Sequence, residues 1–393
     1  MDAYFCARIL KPTLIVFRPI ALLQTLLTIC VMLVATRAFA TDAAKEGEGF
    51  KAGPMIVHHI ADAHSIHIVG DVSIPLPCIV HSHYGWDVFM SSVFMDDQHE
   101  SNKAFTSKSG ATYVMHHEKI FLQEAVDTAA HVSDAHEPAA HAEGDHAHDG
   151  LVAVSDFSIT KSVFGMFLMG TFVVVMFISA ARAYNKRKGQ APKGLQNFLE
   201  PLVLFIKDEV AVPALGKKRA QKFLPFLLTS FFFIWACNLL GLIPFVGGFN
   251  ITGTLGVTLV LAVLVFIITT INGNAHYWGH IFWPPGVPLP IKFILVPIEV
   301  LSIFMKPAVL MIRLVANINA GHIIILAFTS LIFIFGEKSQ GMGYGVGVFS
   351  TLFMIFMFLI ELLVAFLQAY VFTLLAAIYF GDATQEHHHA ESH

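Results

Sequence analysis

Between Lys306 and Glu337 the chain carries one formally charged residue, Arg313, inside an otherwise strongly apolar run. A guanidinium keeps its proton near neutral pH, and placing it at or within hydrocarbon is expensive. Two readings follow. Leu314–Phe335 is 22 residues, enough to span a bilayer, so Arg313 can simply end a span and reach headgroups beside Lys306. Alternatively the charge works where it sits. The run Met311-Ile312-Arg313-Leu314-Val315-Ala316-Asn317-Ile318-Asn319-Ala320-Gly321-His322 favours work. Asn317 lies one helical turn beyond Arg313 and Gly321 one turn further, so the three share a face. His322 follows nine residues after Arg313, about 13 Å along a helix axis. A charge, an amide and an imidazole descending into a membrane helix form a path for an ion.

The elements that must position these groups follow from composition. Of 393 residues, 55% are hydrophobic and only 13% charged, a balance that defines a polytopic membrane protein. Residues 1–40 have the form of a signal peptide: basic Arg8, Lys11 and Arg18, an apolar core, and a small-x-small site at Ala38-Phe39-Ala40. A retained first helix is the alternative. Residues 41–155 are polar and hold 14 of the 21 histidines. Runs such as Ser65–Val69 and Tyr113–His116 predict a few β-strands, and residues 129–150 a linker. His58-His59, His81-x-His83, His116-His117 and His146-x-His148 lack the fixed spacing and cysteines of a metal site, so no metal or other cofactor is expected. Cys6, Cys30, Cys78 and Cys237 form no CxxC pair, and Cys78 is expected to be a small buried hydrophobe.

Residues 156–385 form the membrane part, followed by a tail at 386–393. Spans are predicted at about 162–181, 223–245, 255–271, 291–335 and 348–380. Basic residues after the first span place that end in the cytoplasm and the N-terminal region outside. Residues 195–213, with Phe198, Leu202, Leu204, Phe205 and Val210 apolar, read as an amphipathic helix on the cytoplasmic face. A loop rich in Trp, Pro and His covers residues 272–290. The last two spans are too long to stand upright, since 33 residues already make about 50 Å against a hydrocarbon core of about 30 Å. They predict two long tilted helices joined by an external turn over Gly336–Gly347. The fold class is therefore all-α and five-spanning, with some β structure in a small external region.

With these motifs in order, the chain resembles subunit a of the F-type ATP synthase. The resemblance rests on Arg313-Leu314-x-x-Asn317-x-x-Ala320-Gly321-His322, on Leu367-Gln368-Ala369-Tyr370-Val371-Phe372, and on Asn238-Leu239-Leu240-Gly241-Leu242-Ile243-Pro244. Glu299, Ser302, Lys306 and Pro307 also fall at the family's spacing ahead of the arginine. It covers roughly residues 160–381. It implies a stator that passes protons through two half-channels to and from carboxylates of a rotating ring of c subunits. Arg313 is then the stator arginine. His322 and Glu361 form an exchanged acid–imidazole pair at the outer half-channel, with a structural ion pair as the alternative. Gln368 lies beside Arg313 with Asn317, and Glu299 and Ser302 line the inner half-channel. Glu299 also fits an ordinary interfacial carboxylate, Lys306 a headgroup contact, and Asn238 a helix-packing amide. The implied partners are the c ring, peripheral-stalk subunits of the b type, membrane lipid and protons, with no nucleic acid. The implied setting is a bacterial inner membrane with a periplasmic N-terminus and a cytoplasmic C-terminus.

Two features depart from the family. Thr252-Gly253-Thr254-Leu255-Gly256-Val257-Thr258 has no acidic residue where relatives often carry one near Thr254 and Gly256, so threonine hydroxyls, water or histidines of the extension would serve instead. The extension itself has no counterpart in the short form and reads as an external cap that contacts the stator or funnels protons. Rival readings are a proton-coupled secondary transporter and a metal-handling membrane protein. The chain shows neither an internal repeat nor further histidines within the spans. It has no P-loop, HExxH or GxSxG, so ATP chemistry would occur on other subunits.

Overall fold

The computed structural model describes residues 62–69, 72–94, 103–116, 118–123, 151–186, 194–243, 249–284 and 287–385, with positions 53 and 56. The expected signal segment, the 129–150 linker, His58-His59, His117, His146-x-His148, Pro244 and the 386–393 tail lie outside these residues.

Among the described residues the extension holds nine short strands, more than the few expected. β1 (Ser65–Val69) pairs with β2 (Val72–Pro75). β3 (Pro77–Ser82) lies between β4 (Gly85–Met90) and the short β9 (Ser155–Asp156). β5 (Phe105–Thr106), β6 (Thr112–His116), β7 (Lys119–Gln123) and β8 (Leu151–Ala153) form an antiparallel four-stranded sheet. Alternate residues point inward, as strand geometry requires. They bury Cys78, Val80, Tyr113, Ile120 and Leu122 in one small core with Phe94. Burial pushes the Cys78 thiol up to about 12, so it stays a neutral apolar group. His81 and His83 are exposed beside Trp86 and Tyr84, and among the described residues no three metal-binding side chains stand together.

The membrane part begins with α1 (Lys161–Lys186). It continues through α2 (Leu195–Phe205), a π-helical turn (Ile206–Ala211) and α3 (Val212–Leu215). Next come α4 (Lys217–Gly241), α5 (Leu255–Ile271) and α6 (Ala275–Phe282), then α7 (Leu289–Lys338) and α8 (Gln340–Thr384). Among the described residues, four helices are long and apolar enough to cross a membrane, and α5 with α6 makes a fifth if counted as one broken span.

Three expectations are corrected. The turn predicted over Gly336–Gly347 is a single extended residue, Ser339, and its glycines are helical. Their use is close approach: a Cβ on Gly343 would lie 2.8 Å from Gly336 Cα, so α7 and α8 meet backbone to backbone there. The 272–290 segment contains α6, bent 102° from α5, rather than only a loop. The amphipathic segment is helical, but its buried residues are Leu199, Ile206, Val210, Ala211 and Leu215, while Phe198 and Leu204 are exposed. The π-helical turn inserts an extra residue and rotates the apolar face, which a uniform 3.6-residue period cannot foresee.

The far end of α8 is clamped. A Cβ on Gly381 would lie 2.4 Å from Ala214 O. Arg219 Nη1 donates to Thr384 O, Asn274 N donates to Ala383 O at 2.9 Å, and Phe223 stacks on Phe380. At the other end the extension docks onto the membrane part. Lys161 N donates to Ala63 O at 2.8 Å and Ser162 N to Asp62 Oδ1 at 2.9 Å. Ile66 and Leu76 join Cys237, Leu240, Phe249 and Ile251 in one apolar cluster.

Asp87 gives the extension a pH dependence. Burial alone would raise its carboxyl, but hydrogen bonds from Ser107 Oγ (2.5 Å), Ser109 Oγ (2.6 Å) and Tyr113 OH (2.9 Å) outweigh this and hold it below the usual value. The resulting stability is present above the ordinary carboxylate pKa of about 4 and is lost as pH falls through the lower, folded value. In the full chain, hydrogen-exchange protection of β6 is expected to hold from about pH 7 down to about pH 4 and then decline. Asp87→Asn should lower that protection already at neutral pH and flatten its acid dependence.

Candidate functional site

The two longest helices, α7 and α8, supply most of the site. At about 1.5 Å per residue they are about 75 and 68 Å long, more than twice a hydrocarbon core, so both must tilt strongly to remain in it. Pro297 and Pro307 lie inside α7 without ending it. Arg313 is exposed on α7 beside exposed Ile312, Ala316, Asn317 and Ala320. The adjoining helix exposes Leu352, Phe356, Leu359, Leu363 and Leu367 at helical spacing. Among the described residues no carboxylate pairs with Arg313. The cation therefore stands on an apolar surface, unpaired with any described carboxylate.

Gln368 is buried opposite Asn317, and Gln368 Oε1 accepts a hydrogen bond from Asn317 Nδ2 at 2.8 Å. The observed partner of the Gln368 carbonyl is thus Asn317, one turn from Arg313. Because Asn317 is i+4 from Arg313, its tie to α8 fixes the face that presents the guanidinium.

His322 and Glu361 meet across the hairpin, with Nδ1 3.6 Å from Oε1. Both side chains are largely buried. The approach depends on Gly321, where a Cβ would lie 2.0 Å from Glu361 Oε1. The two remaining polar atoms, His322 Nε2 and Glu361 Oε2, are buried without a protein partner. Such atoms mark positions that water or a transferring proton can use. His322 Nε2 points to Gly241, whose missing Cβ would be 3.7 Å away.

A network of amides and hydroxyls lies next to this pair along α7 and α8. Asn250 Nδ2 donates to Asn319 Oδ1 at 2.6 Å, and Asn319 Nδ2 donates to Gly253 O at 3.1 Å. Thr252 Oγ1 donates to Asn238 Oδ1 at 2.6 Å, while Asn238 Nδ2 donates to Ala365 O at 3.0 Å. Asn238 is thus a tie between helices.

The inner cluster is a cavity of about 280 Å³ lined by Glu299, Ser302, Lys306, Asp382, Tyr277 and His280, among others. Ser302 Oγ donates to Glu299 O at 2.7 Å. Lys306 Nζ lies 3.7 Å from Asp382 Oδ2 and 5.3 Å from the Tyr379 ring centre.

Sequence reasoning brought together Arg313, Asn317, His322, Glu361, Gln368, Glu299 and Ser302, but missed Asn250, Asn319 as a network member, and Asp382. A buried amide within an apolar run is itself a signal, because hydrocarbon tolerates it only with a partner. Asp382 gave none, since an acid at a helix end is unremarkable in sequence.

Fold and site together define a multi-pass helical membrane protein with polar clusters set along a long tilted hairpin. The model of the family described as the ATP synthase A chain matches residues 163–381, more than half of the chain. "ATP synthase subunit a 2" of Chlorobaculum tepidum is 46% identical over 248 residues, covering 62% of this chain and 67% of that protein. "ATP synthase subunit a" of Chloroherpeton thalassium is 38% identical over 288 residues, covering 69% and 82%. The chain belongs to the ATP synthase A chain family. A second match, to a domain of unknown function (DUF8433), covers residues 55–146 of the extension.

Gly321→Ala should drive the Glu361 carboxylate away from His322, lengthening the 3.6 Å approach by at least about 1 Å. A structure of the variant by electron cryomicroscopy measures this directly.

Proposed function

We infer that this chain is the proton-conducting stator subunit of an F-type ATP synthase, in which it passes protons to and from a ring of c subunits. The observation that carries the reading is Arg313, exposed on an apolar hairpin face with no carboxylate paired to it among the described residues. A rotor carboxylate must be neutral to cross lipid, because a buried charge costs several kcal/mol or more. Beside Arg313 it gains an opposite charge, its pKa falls and it releases its proton.

Along α7, Arg313 lies about 16 Å from Ser302 of the inner cavity and about 13 Å from His322 of the outer cluster. A cation that cannot deprotonate repels protons moving directly between the two, so each proton must travel on the rotor instead. In this reading Glu299 and Ser302 line the inner half-channel, and His322 and Glu361 exchange protons in the outer one. Asn317 and Gln368 position the arginine. The extension is an external cap, peripheral-stalk subunits of the b type hold the stator, and ATP is made on other subunits. The basic residues after α1 support a cytoplasmic C-terminus and an external N-terminus in a bacterial inner membrane.

Arg313→Lys keeps a cation but not one that is permanently charged in an apolar site, and it should abolish proton-driven ATP synthesis in vesicles; retained synthesis would refute the assignment. Glu361→Gln should slow proton flux on the order of a hundredfold, the lower range for a positioned proton-transfer group, while assembled complex falls far less. Flux and assembly falling together would mean that the His322–Glu361 pair is only structural.

A further inference from the structure

We propose that Asp62, contributed by the extension, is the external entry of the outer proton path. The proposal rests on the proton-path reading above and adds to it a carboxylate outside the residues that match the ATP synthase A chain family.

Asp62 is half-buried, so it faces external water on one side and the membrane part on the other. Its Oδ1 accepts from Ser162 N at 2.9 Å. Ser162 Oγ lies 2.9 Å from Thr254 Oγ1, and Thr254 Oγ1 donates to Asn250 O at 3.0 Å. Asn250 then bonds to Asn319, which precedes His322 by three residues and shares its side of α7. Polar groups therefore lead from the surface of the extension as far as Asn319, one turn of α7 before His322.

Three buried atoms of these groups and of the His322–Glu361 pair have no protein partner: Asn250 Oδ1, His322 Nε2 and Glu361 Oε2. Buried polar atoms of this kind are satisfied by water, and water is what relays a proton past amides that cannot. Gly241 keeps the last step open, since its missing Cβ would face both Phe249 O (2.8 Å) and His322 Nε2 (3.7 Å). The segment from Thr252 to Thr258 holds no acid of its own. Asp62 supplies the titrating group at the mouth of a path whose membrane walls are neutral. It takes a proton from external water, becomes the neutral acid, and returns the proton to the next water; only O–H bonds form and break. The charged groups packed around it are buried Lys161, whose counter-charges are Asp62 and Glu118, and the His64–Asp156 pair at 2.9 Å.

The test uses the intact ATP synthase in proteoliposomes, with proton-driven ATP synthesis followed across external pH. Asp62→Asn keeps an acceptor for Ser162 N but cannot titrate. It should leave the amount of assembled complex unchanged and lower synthesis by about three- to tenfold, most at low external proton concentration. Asp62→Glu should restore most of the rate. A wild-type rate for Asp62→Asn at every external pH overturns the proposal. So does a loss seen only in Asp62→Ala and proportional to lost complex, since Asp62 is then merely a helix-end contact. Glu361→Gln in the same vesicles separates the two levels: if it leaves flux intact, the proton-path reading itself fails.

Discussion

A guanidinium on an apolar surface is stable only when something else supplies the opposite charge. Arg313 is exposed, always protonated, and unmatched by any described carboxylate of its own chain. Its exposed neighbours on both helices are apolar or small apart from the neutral amide Asn317, so they contribute shape and not an opposite charge. The surface is thus incomplete by construction, and the partner that completes it must bring an acid. The Asn317–Gln368 hydrogen bond serves this arrangement by holding the arginine-bearing turn against α8. It leaves the guanidinium itself free for the visitor.

The same economy of small residues recurs wherever two groups must come unusually close. Gly321 admits Glu361 to His322, Gly241 leaves room between His322 and the Phe249 carbonyl, and Gly343 meets Gly336 where the helices cross. In lipid, hydrophobic burial does not distinguish helix–helix contact from helix–lipid contact, so close backbone approach and internal hydrogen bonds carry the association. The clamp formed by Arg219, Asn274 and Ala214 at the end of α8 adds a polar anchor at the opposite end of the hairpin.

Polar clusters lie on both sides of Arg313 along one helix. The inner one is an open cavity with Glu299 and the Lys306–Asp382 pair; the outer one is a set of amides and hydroxyls next to His322 and Glu361. Between them the exposed surface of α7 is apolar or small apart from Arg313 and Asn317. Under the proposed function, a separation of this kind keeps the two clusters from exchanging protons directly. The extension belongs to the outer half, because Ile66, Leu76 and Asp62 bind it to the tops of α1, α4 and the segment before α5.

Much of this was readable before any coordinates. Hydropathy located the membrane helices, because a span needs about 20 apolar residues whatever packs beside it. The cost of polar groups in hydrocarbon singled out Arg313, Asn317 and His322, the family resemblance added Glu361 and Gln368, and the alternation at Ser65–Val69 and Tyr113–His116 forecast strands. Those signals are local, since each depends on a residue and its near neighbours. What remained hidden was pairing across distance: Asn317 rather than Arg313 as the partner of Gln368, Lys306 with Asp382, and Asn250 with Asn319. So did the π-helical turn, the helical glycines after Ser339, and the docking of Asp62 on Ser162. Each depends on which surfaces meet once the chain has folded, and residue spacing holds no record of that.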